Sequence, residues 1–378
     1  MRNYKKYTIM DNKINRMTYE SEEYIMSRVV VGMSGGVDSA AAAFLLREAG
    51  YEVIGVTLRT WDSGGSRCCE IDEARATARK LGVPDHVFNC VSDFQKNVRA
   101  PLIDAYLCGL TPNPCVVCNR SVKWERLLYA AAVMGADMAA TGHYACVSRL
   151  DNGRYAIGRA ADAGKDQSYM LYQLTQKQLS RTLFPLGNLT KEEVRRVAEQ
   201  AGLPVAHTPD SQELCFVTEG NYADYIESHS ERAIPGEGDF VDETGRFLGK
   251  HKGIIHYTVG QRKGLGLSLG RPAYVKRIDP ERNEIVIGDE RSLYAEAILC
   301  GDLYFMGVAG IADGETIRAN VKVRYRHAGA AATLEQYGSD TVRVRFDSPV
   351  KAATPGQSAV FYDDKGYITG GGVILKAY

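Results

Sequence analysis

Two groups of residues have the types and spacing to do chemistry. The first is Gly32-Met33-Ser34-Gly35-Gly36-Val37-Asp38-Ser39, a glycine-rich turn between an apolar run at Arg28 to Val31 and an alanine-rich stretch from Ala40 to Glu48. A strand feeding a tight turn that opens a helix aims several backbone N–H groups at one point, where the helix dipole also favours negative charge. Phosphate is the expected guest. No Lys follows the glycines, which excludes a Walker A loop with its Gly-Lys-Ser/Thr. The second group is three thiols. Cys115 and Cys118 lie in Thr111-Pro112-Asn113-Pro114-Cys115-Val116-Val117-Cys118-Asn119, where two prolines predict a rigid, extended entry. Cys118 is expected at or just before the N-terminus of a helix running to Met134, a position that favours the reactive thiolate. Cys215 lies in Asp210-Ser211-Gln212-Glu213-Leu214-Cys215-Phe216, a polar loop where the chain changes character. Three chemistries fit these thiols. A bare Cys-x-x-Cys suits a zinc half-site or a redox dithiol, but a second pair or a His partner at metal spacing is missing. Three thiolates could hold an iron–sulfur cluster with one open iron. Two thiols able to approach each other could act as nucleophile and persulfide carrier in sulfur transfer.

The elements that must position these groups follow from periodicity. Over 378 residues two or three domains are expected. Strands are expected at Val53 to Leu58, His86 to Val91 and Met138 to Tyr144, with helices at Ile71 to Leu81, Phe94 to Cys108 and Val122 to Met134. This alternation predicts βαβ units and a parallel sheet, with the ligand outside the carboxyl ends of the strands. A hairpin over Val147 to Arg159 and helices at Gln167 to Ser180 and Lys191 to Gly202 follow. From about Gly236 the pattern is short β-rich runs cut by Gly and Asp, which predicts a small antiparallel barrel or two compact β modules.

Composition narrows the partners. Lys plus Arg and Asp plus Glu each number 46, so the formal charge is zero and any nucleic-acid contact must come from a local patch. One such patch is visible: Arg246, Lys250, Lys252, Arg262, Lys263, Arg271, Lys276 and Arg277 fall in a stretch without Asp or Glu, interleaved with His251, His256 and Tyr257. It can follow a phosphate backbone and offer flat side chains for stacking. Lys322, Arg324 and Arg326 alternate, so one face of a strand is expected to carry all three. Nine cysteines, an odd and scattered set, do not suit a secreted disulfide framework. No run approaches the roughly 20 apolar residues of a membrane span. Residues 1–27 read as a mobile extension without a secretory signal, so a cytoplasmic protein without a membrane partner is expected.

The pattern Ser-Gly-Gly-x-Asp-Ser resembles the PP-loop of the N-type ATP pyrophosphatases, which release pyrophosphate and leave AMP on the substrate. From Arg28 to Tyr378 the chain is similar to the bacterial tRNA-specific 2-thiouridylases of the MnmA type. The resemblance is carried by Gly32 to Ser39, Thr111 to Asn119, Thr141 to Tyr144, Lys165 to Tyr169, Asp210 to Phe216, Tyr257 to Leu267, Arg324 to Arg326 and Thr354 to Gln357. It implies a PP-loop, adenine nucleotide alpha hydrolase-like parallel-sheet domain at 28–210, a small central domain at 211–275 and a C-terminal antiparallel β-barrel at 276–378.

ATP would be held by Gly32, Met33, Ser34, Gly35, Gly36, Val37, Asp38, Ser39, Leu58 and Gly142, with Mg²⁺ beside Asp38 and Ser39. The anticodon arm of a tRNA would contact Asn113, Pro114, Cys115, His143, Lys165, Asp166, Gln167, Arg324, Tyr325 and Gln357. Cys215 would carry a persulfide from the sulfur-donor protein of a cysteine desulfurase relay, and Cys118 would be the nucleophile that frees the sulfur by forming a disulfide. A monomer is expected. Many relatives carry Asp where this chain has Cys115, which raises a second sulfur route: a [4Fe–4S] cluster on Cys115, Cys118 and Cys215 whose open iron binds hydrosulfide. A PP-loop ligase or amidotransferase acting on a small metabolite would also explain the loop, but not the three placed thiols or the acid-free basic stretch.

Overall fold

The computed structural model describes residues 27–61, 68–208, 214–217 and 220–378. The extension expected at 1–27, save Ser27, and the polar residues 209–213 ahead of Cys215 lie outside the described residues. The chain forms two compact units, one of Met1–Phe94 with Cys118–Gln212, the other of Gln95–Val117 with Glu213–Tyr378.

The first unit is built on β1 (Arg28–Gly32), β2 (Glu52–Arg59), β3 (Asp85–Asn89), β4 (Met138–Ala140) and β7 (Thr182–Leu183), with the hairpin of β5 (Cys146–Arg149) and β6 (Tyr155–Gly158) inserted between β4 and β7. The sheet order is β3-β2-β1-β4-β7 and all its pairings are parallel. The order reverses direction between β1 and β4, which opens the crevice where ligands bind in such sheets. Helix Val37–Glu48 packs its run of Ala40 to Ala43, all essentially buried, against one face of the sheet. Small side chains let it approach closely. Helix Lys191–Gln200 adds Val194, Val197 and Ala198 to the same cluster, at the i, i+3, i+4 spacing of one helical face. Helix Glu125–Val133 covers the other face with Leu127, Ala130 and Ala131.

The strand expected to reach Tyr144 ends at Ala140, so Thr141 to Tyr144 leaves the sheet. The helix expected over Gln167 to Ser180 is a 3₁₀ turn at Ser168–Leu171 and a short helix at Gln176–Leu179, because Thr175 and Gln178 form a capping box that starts the helix anew.

The second unit holds a four-stranded sheet of β8 (Gly238–Asp242), β9 (Phe247–His251), β10 (Tyr274–Asp279) and β11 (Glu284–Gly288) in the order β10-β11-β8-β9. It also holds a closed barrel of β12 (Tyr294–Phe305), β13 (Thr316–Lys322), β14 (Ala330–Gln336), β15 (Val342–Lys351), β16 (Ser358–Tyr362) and β17 (Ile368–Ala377), ordered β12-β15-β14-β13-β16-β17. All barrel pairings are antiparallel, and Ile298, Val321, Leu334, Val344, Phe361 and Ile374 fill its core. The barrel therefore begins at Tyr294 and not at 276. The β10 and β11 hairpin pairs Ile285 with Phe240 of β8, which commits its apolar residues to the central sheet.

The segment Gln95–Val117 also departs from the linear order expected for 28–210. Tyr106 stacks on Tyr222 at 4.9 Å, and Arg232 reaches Asp104 at 2.8 Å. Gly109, at φ +69°, brings its backbone so close to Ile278 that a Cβ there would sit 2.9 Å from its side chain. The single helix expected at Phe94 to Cys108 is accordingly broken into Val91–Phe94, a π-helical stretch at Gln95–Arg99 and helix Ala100–Leu107.

Candidate active site

The loop after β1 takes the shape its composition demands. Gly35 adopts φ +79°, a conformation closed to most side chains. Ser39 Oγ donates to Gly36 O at 3.0 Å and accepts from Ser34 N at 3.1 Å, which ties the turn to the helix it opens. Helix Val37–Glu48 has no side-chain cap, so its first amides face the loop with the dipole behind them. From the far side of the switch point, Gly142 lies against the same turn: a Cβ there would sit 2.6 Å from the carbonyl carbon of Asp38 and 2.7 Å from Ser39 N. Only a glycine permits that approach. Leu58, near the end of β2, is half-buried, and β1 and β2 stay in register to the loop, where Met33 N donates to Val56 O at 2.8 Å. A glycine cradle of N–H groups fits a polyphosphate chain, and the Asp38 carboxylate and Ser39 hydroxyl are the hard oxygen donors that a Mg²⁺ ion prefers.

Sequence reasoning missed the cation of this site. Lys191 Nζ lies 2.8 and 2.9 Å from the two oxygens of Asp38, and Tyr144 donates its hydroxyl to the same carboxylate at 2.8 Å. The Thr190-x-x-Glu193 capping box that holds Lys191 at a helix start was visible in the sequence. Its partner, 153 residues away, was not.

His143, next to Gly142, is set among Trp124 and Phe184, with ring centroids at 5.6 and 6.4 Å, and its Nδ1 meets Thr141 Oγ1 at 2.8 Å. Burial, aided by the charge of Lys123, pushes its pKa well below the ordinary 6.5, so the ring is neutral at physiological pH. Asp166 is buried and accepts from Ala160 N, Ser168 N and Ser168 Oγ at 3.0–3.2 Å. The side chain of Gln167 accepts from Tyr144 N at 2.9 Å, and Lys165 N donates to Asp162 O at 3.0 Å. These residues order the loop beside Tyr144 and His143.

The thiols sit differently from expectation. The helix around Cys118 starts at Pro114, not at 118: Pro114–Cys118 is helical and passes into a π-helical turn at Asn119–Trp124 before helix Glu125–Val133. Asn113 Oδ1 accepts from Cys115 N at 3.2 Å, as an N-cap does, and Pro114 takes the first helical position, where its missing N–H costs nothing. Cys115 is thus in the first turn and half-buried, while Cys118 is buried at the last residue of that helix. The N-terminal argument for thiolate at Cys118 therefore does not hold. Asn119, which follows it, is buried, donates to Met170 O at 3.0 Å and leaves its Oδ1 without a hydrogen-bond partner.

In the second unit Cys215 is exposed. Phe216 packs on Tyr225 at 5.0 Å, and Tyr225 stacks on His229 at 4.1 Å. Burial raises the Tyr225 pKa, Arg99 opposes this by charge and hydrogen bond, and Cys215 adds to the rise. Gln357 Nε2 donates to Thr111 O at 2.7 Å, Thr111 N donates to Pro355 O at 3.1 Å, and a Cβ on Gly356 would sit 2.9 Å from Thr111 N. The Thr354 to Gln357 loop therefore clasps the entry to Asn113, Pro114 and Cys115 at Thr111. The expectation of one strand face carrying Lys322, Arg324 and Arg326 fails, because β13 ends at Lys322 and the chain turns. Arg324 donates to Lys351 O at 3.1 Å, and Tyr325 lies 6.0 Å from Lys322 Nζ. In the basic stretch, Lys250 pairs with Asp239, Lys276 with Glu243 and Arg277 with Asp279, acids just outside it. Lys252, Arg262, Lys263 and Arg271 are exposed. Among the described residues, no three His, Cys, Asp or Glu side chains are grouped to hold a metal ion, and no helix is long and apolar enough to cross a membrane.

A parallel sheet reversing order at a glycine loop that opens an uncapped helix, with an acidic residue in the first turn, defines a nucleotide-binding domain of the PP-loop class. Models of a tRNA methyl transferase HUP domain, a tRNA methyl transferase PRC-barrel domain and an aminomethyltransferase beta-barrel domain match residues 27–219, 223–289 and 298–374. The tRNA-specific 2-thiouridylase MnmA of Lachnoclostridium phytofermentans is 49% identical over 364 residues, covering 93% of this chain and 100% of that protein. The proteins of the same name from Acetivibrio thermocellus and Clostridioides difficile are 48% and 42% identical, covering 92% and 94% of this chain and 99% of each relative. The chain belongs to the tRNA-specific 2-thiouridylase family.

Proposed function

We propose that this protein uses ATP to replace the C2 oxygen of the wobble uridine of tRNA with sulfur. The observation that carries the reading is an intact polyphosphate cradle, Gly32 to Ser39 closed by Gly142, in a chain of which 93% matches a thiouridylase. The C2 carbonyl oxygen is a poor leaving group. Adenylation turns it into AMP and makes the carbon electrophilic, with pyrophosphate as the other product. Mg²⁺ beside Asp38 and Ser39 would offset charge on the polyphosphate. The exposed position of Cys215 supports its role as persulfide carrier, open to a sulfur-donor protein, and Cys118 is the thiol that then releases the sulfur as a disulfide forms. The anticodon arm would lie along Asn113 to Cys115, His143, Lys165 to Gln167 and Arg324-Tyr325. Here Asp166, Gln167 and Gln357 act by shaping the surface, since their side chains already bond to the protein. The target base must leave its stack to reach the crevice.

Mass spectrometry of anticodon nucleosides from cells lacking this protein is the primary test, and unchanged 2-thiouridine would sink the reading. Cys215→Ser is expected to abolish thiolation while the ATP-dependent adenylation of tRNA persists, whereas a ligase acting on a small metabolite should barely notice it. A competing route would use a [4Fe–4S] cluster on Cys115, Cys118 and Cys215, three thiols that are not grouped as metal ligands among the described residues. Iron and acid-labile sulfide analysis of anaerobically purified protein separates the two: metal-free protein that thiolates tRNA supports the persulfide.

A further inference from the structure

The PP-loop contains no cation of its own, yet it is shaped to receive a polyanion and carries a carboxylate, Asp38, in its first helical turn. Placing the negative charges of a polyphosphate beside Asp38 is unfavourable unless a positive group shares the space. The described structure supplies one from a remote element. Lys191 opens helix Lys191–Gln200, and its ammonium reaches both oxygens of Asp38 at 2.8 and 2.9 Å. Its side chain is only 11% exposed, against 34% for Asp38, so the charge is held in a partly desolvated place where it acts strongly.

The surroundings fix that position on three sides. Lys191 N donates to Asp162 Oδ2 at 3.0 Å, the Thr190 and Glu193 capping box sets the start of the helix, and Val194 and Val197 bury the next turn in the core shared with helix Val37–Glu48. Tyr144 donates to Asp38 at 2.8 Å and lies with its ring 5.8 Å from Lys191 Nζ. A plain surface ion pair would not be anchored this way. We propose that Lys191 is a binding residue for the polyphosphate of ATP and for the pyrophosphate product, doing from a helix start what the Walker lysine does from within its own loop, with Asp38 and Tyr144 as the positioning residues that hold its ammonium over the cradle.

This inference rests on the ATP-dependent reading above and names a further residue of that site. Full-length wild-type protein, Lys191→Met and Lys191→Arg are titrated with ATP, inorganic pyrophosphate and AMP in the presence of Mg²⁺. Lys191→Met should weaken ATP and pyrophosphate binding at least tenfold and AMP binding less than twofold, and Lys191→Arg should recover most of the loss because it restores the charge. Unchanged affinity for ATP and pyrophosphate in Lys191→Met overturns the proposal. So does an equal loss of AMP, the signature of a collapsed loop. If Lys191→Met does not fold, Lys191→Arg decides: pyrophosphate affinity within threefold of wild type supports the proposal, and a tenfold loss overturns it. Wild-type protein that binds ATP yet leaves tRNA unthiolated breaks the functional reading alone. Intact binding and thiolation in Lys191→Met breaks this inference alone.

Discussion

The two units use charge in opposite ways. Around the glycine loop the ion pair of Asp38 and Lys191 joins residues 153 apart, is largely screened from water, and shares its carboxylate with Tyr144. On the barrel, charges are plentiful and their partners are neighbours: Arg318 of β13 meets Asp347 of β15, and Arg343 and Arg345 flank Glu335 of β14 across adjoining strands. The side chains of Arg318, Asp347 and Arg345 stand largely in solvent, where an ion pair contributes little because water solvates both partners well. Counting charges therefore misleads in either direction. The basic stretch from Arg246 to Arg277 reads as eight cations, but Lys250, Lys276 and Arg277 are answered by acids folded beside them. The loop reads as having no cation, and one is delivered to it.

This contrast breaks first, if it breaks, at Gly142. Gly142→Ala would push a methyl into the Asp38 and Ser39 backbone, which cannot yield as a flexible side chain can. Overpacking of this kind costs about 1–3 kcal/mol, and ATP affinity should fall tenfold or more. An isothermal titration that finds alanine tolerated would mean that the cradle is looser than its geometry implies.

A smaller effect is expected at His143. Burial holds its folded pKa below 6.5, so below pH 6.5 the unfolded chain binds a proton that the folded chain refuses. Stability should then fall as the pH drops, by up to about 1.4 kcal/mol per pH unit for this one group. His143→Gln should flatten the profile of thermal midpoint against pH below 6.5 and leave it unaltered above; an unchanged slope would show that the ring is protonated in the fold. The smallest effect belongs to the barrel surface. Arg318→Ala should leave the thermal midpoint within error of wild type, and a clear drop would show that these ladders do more than decorate the sheet.

The parallel sheet and the loop were legible because their signals are local: alternation of apolar runs, and glycines at a strand-to-helix turn. What escaped was set by distance. The Lys191 contact, the assignment of β10 and β11 to the central sheet and the transfer of Gln95–Val117 to the second unit all depend on pairings made far along the chain. One miss was local. The two prolines predict an extended entry, but Asn113-Pro114 is an N-cap followed by the first helical residue. The helix begins earlier than expected: Cys115, expected in the extended entry, stands in its first turn, and Cys118, expected at its start, is its last residue.

The clasp between the Thr354 to Gln357 loop and Thr111 spans 246 residues. During synthesis, the segment that presents Cys115 is made long before the groups that anchor its entry. Domains otherwise tend to fold as they leave the ribosome. In this protein the cysteine segment must wait for the barrel, so a chain stalled before residue 355 would carry the thiols without their finished setting.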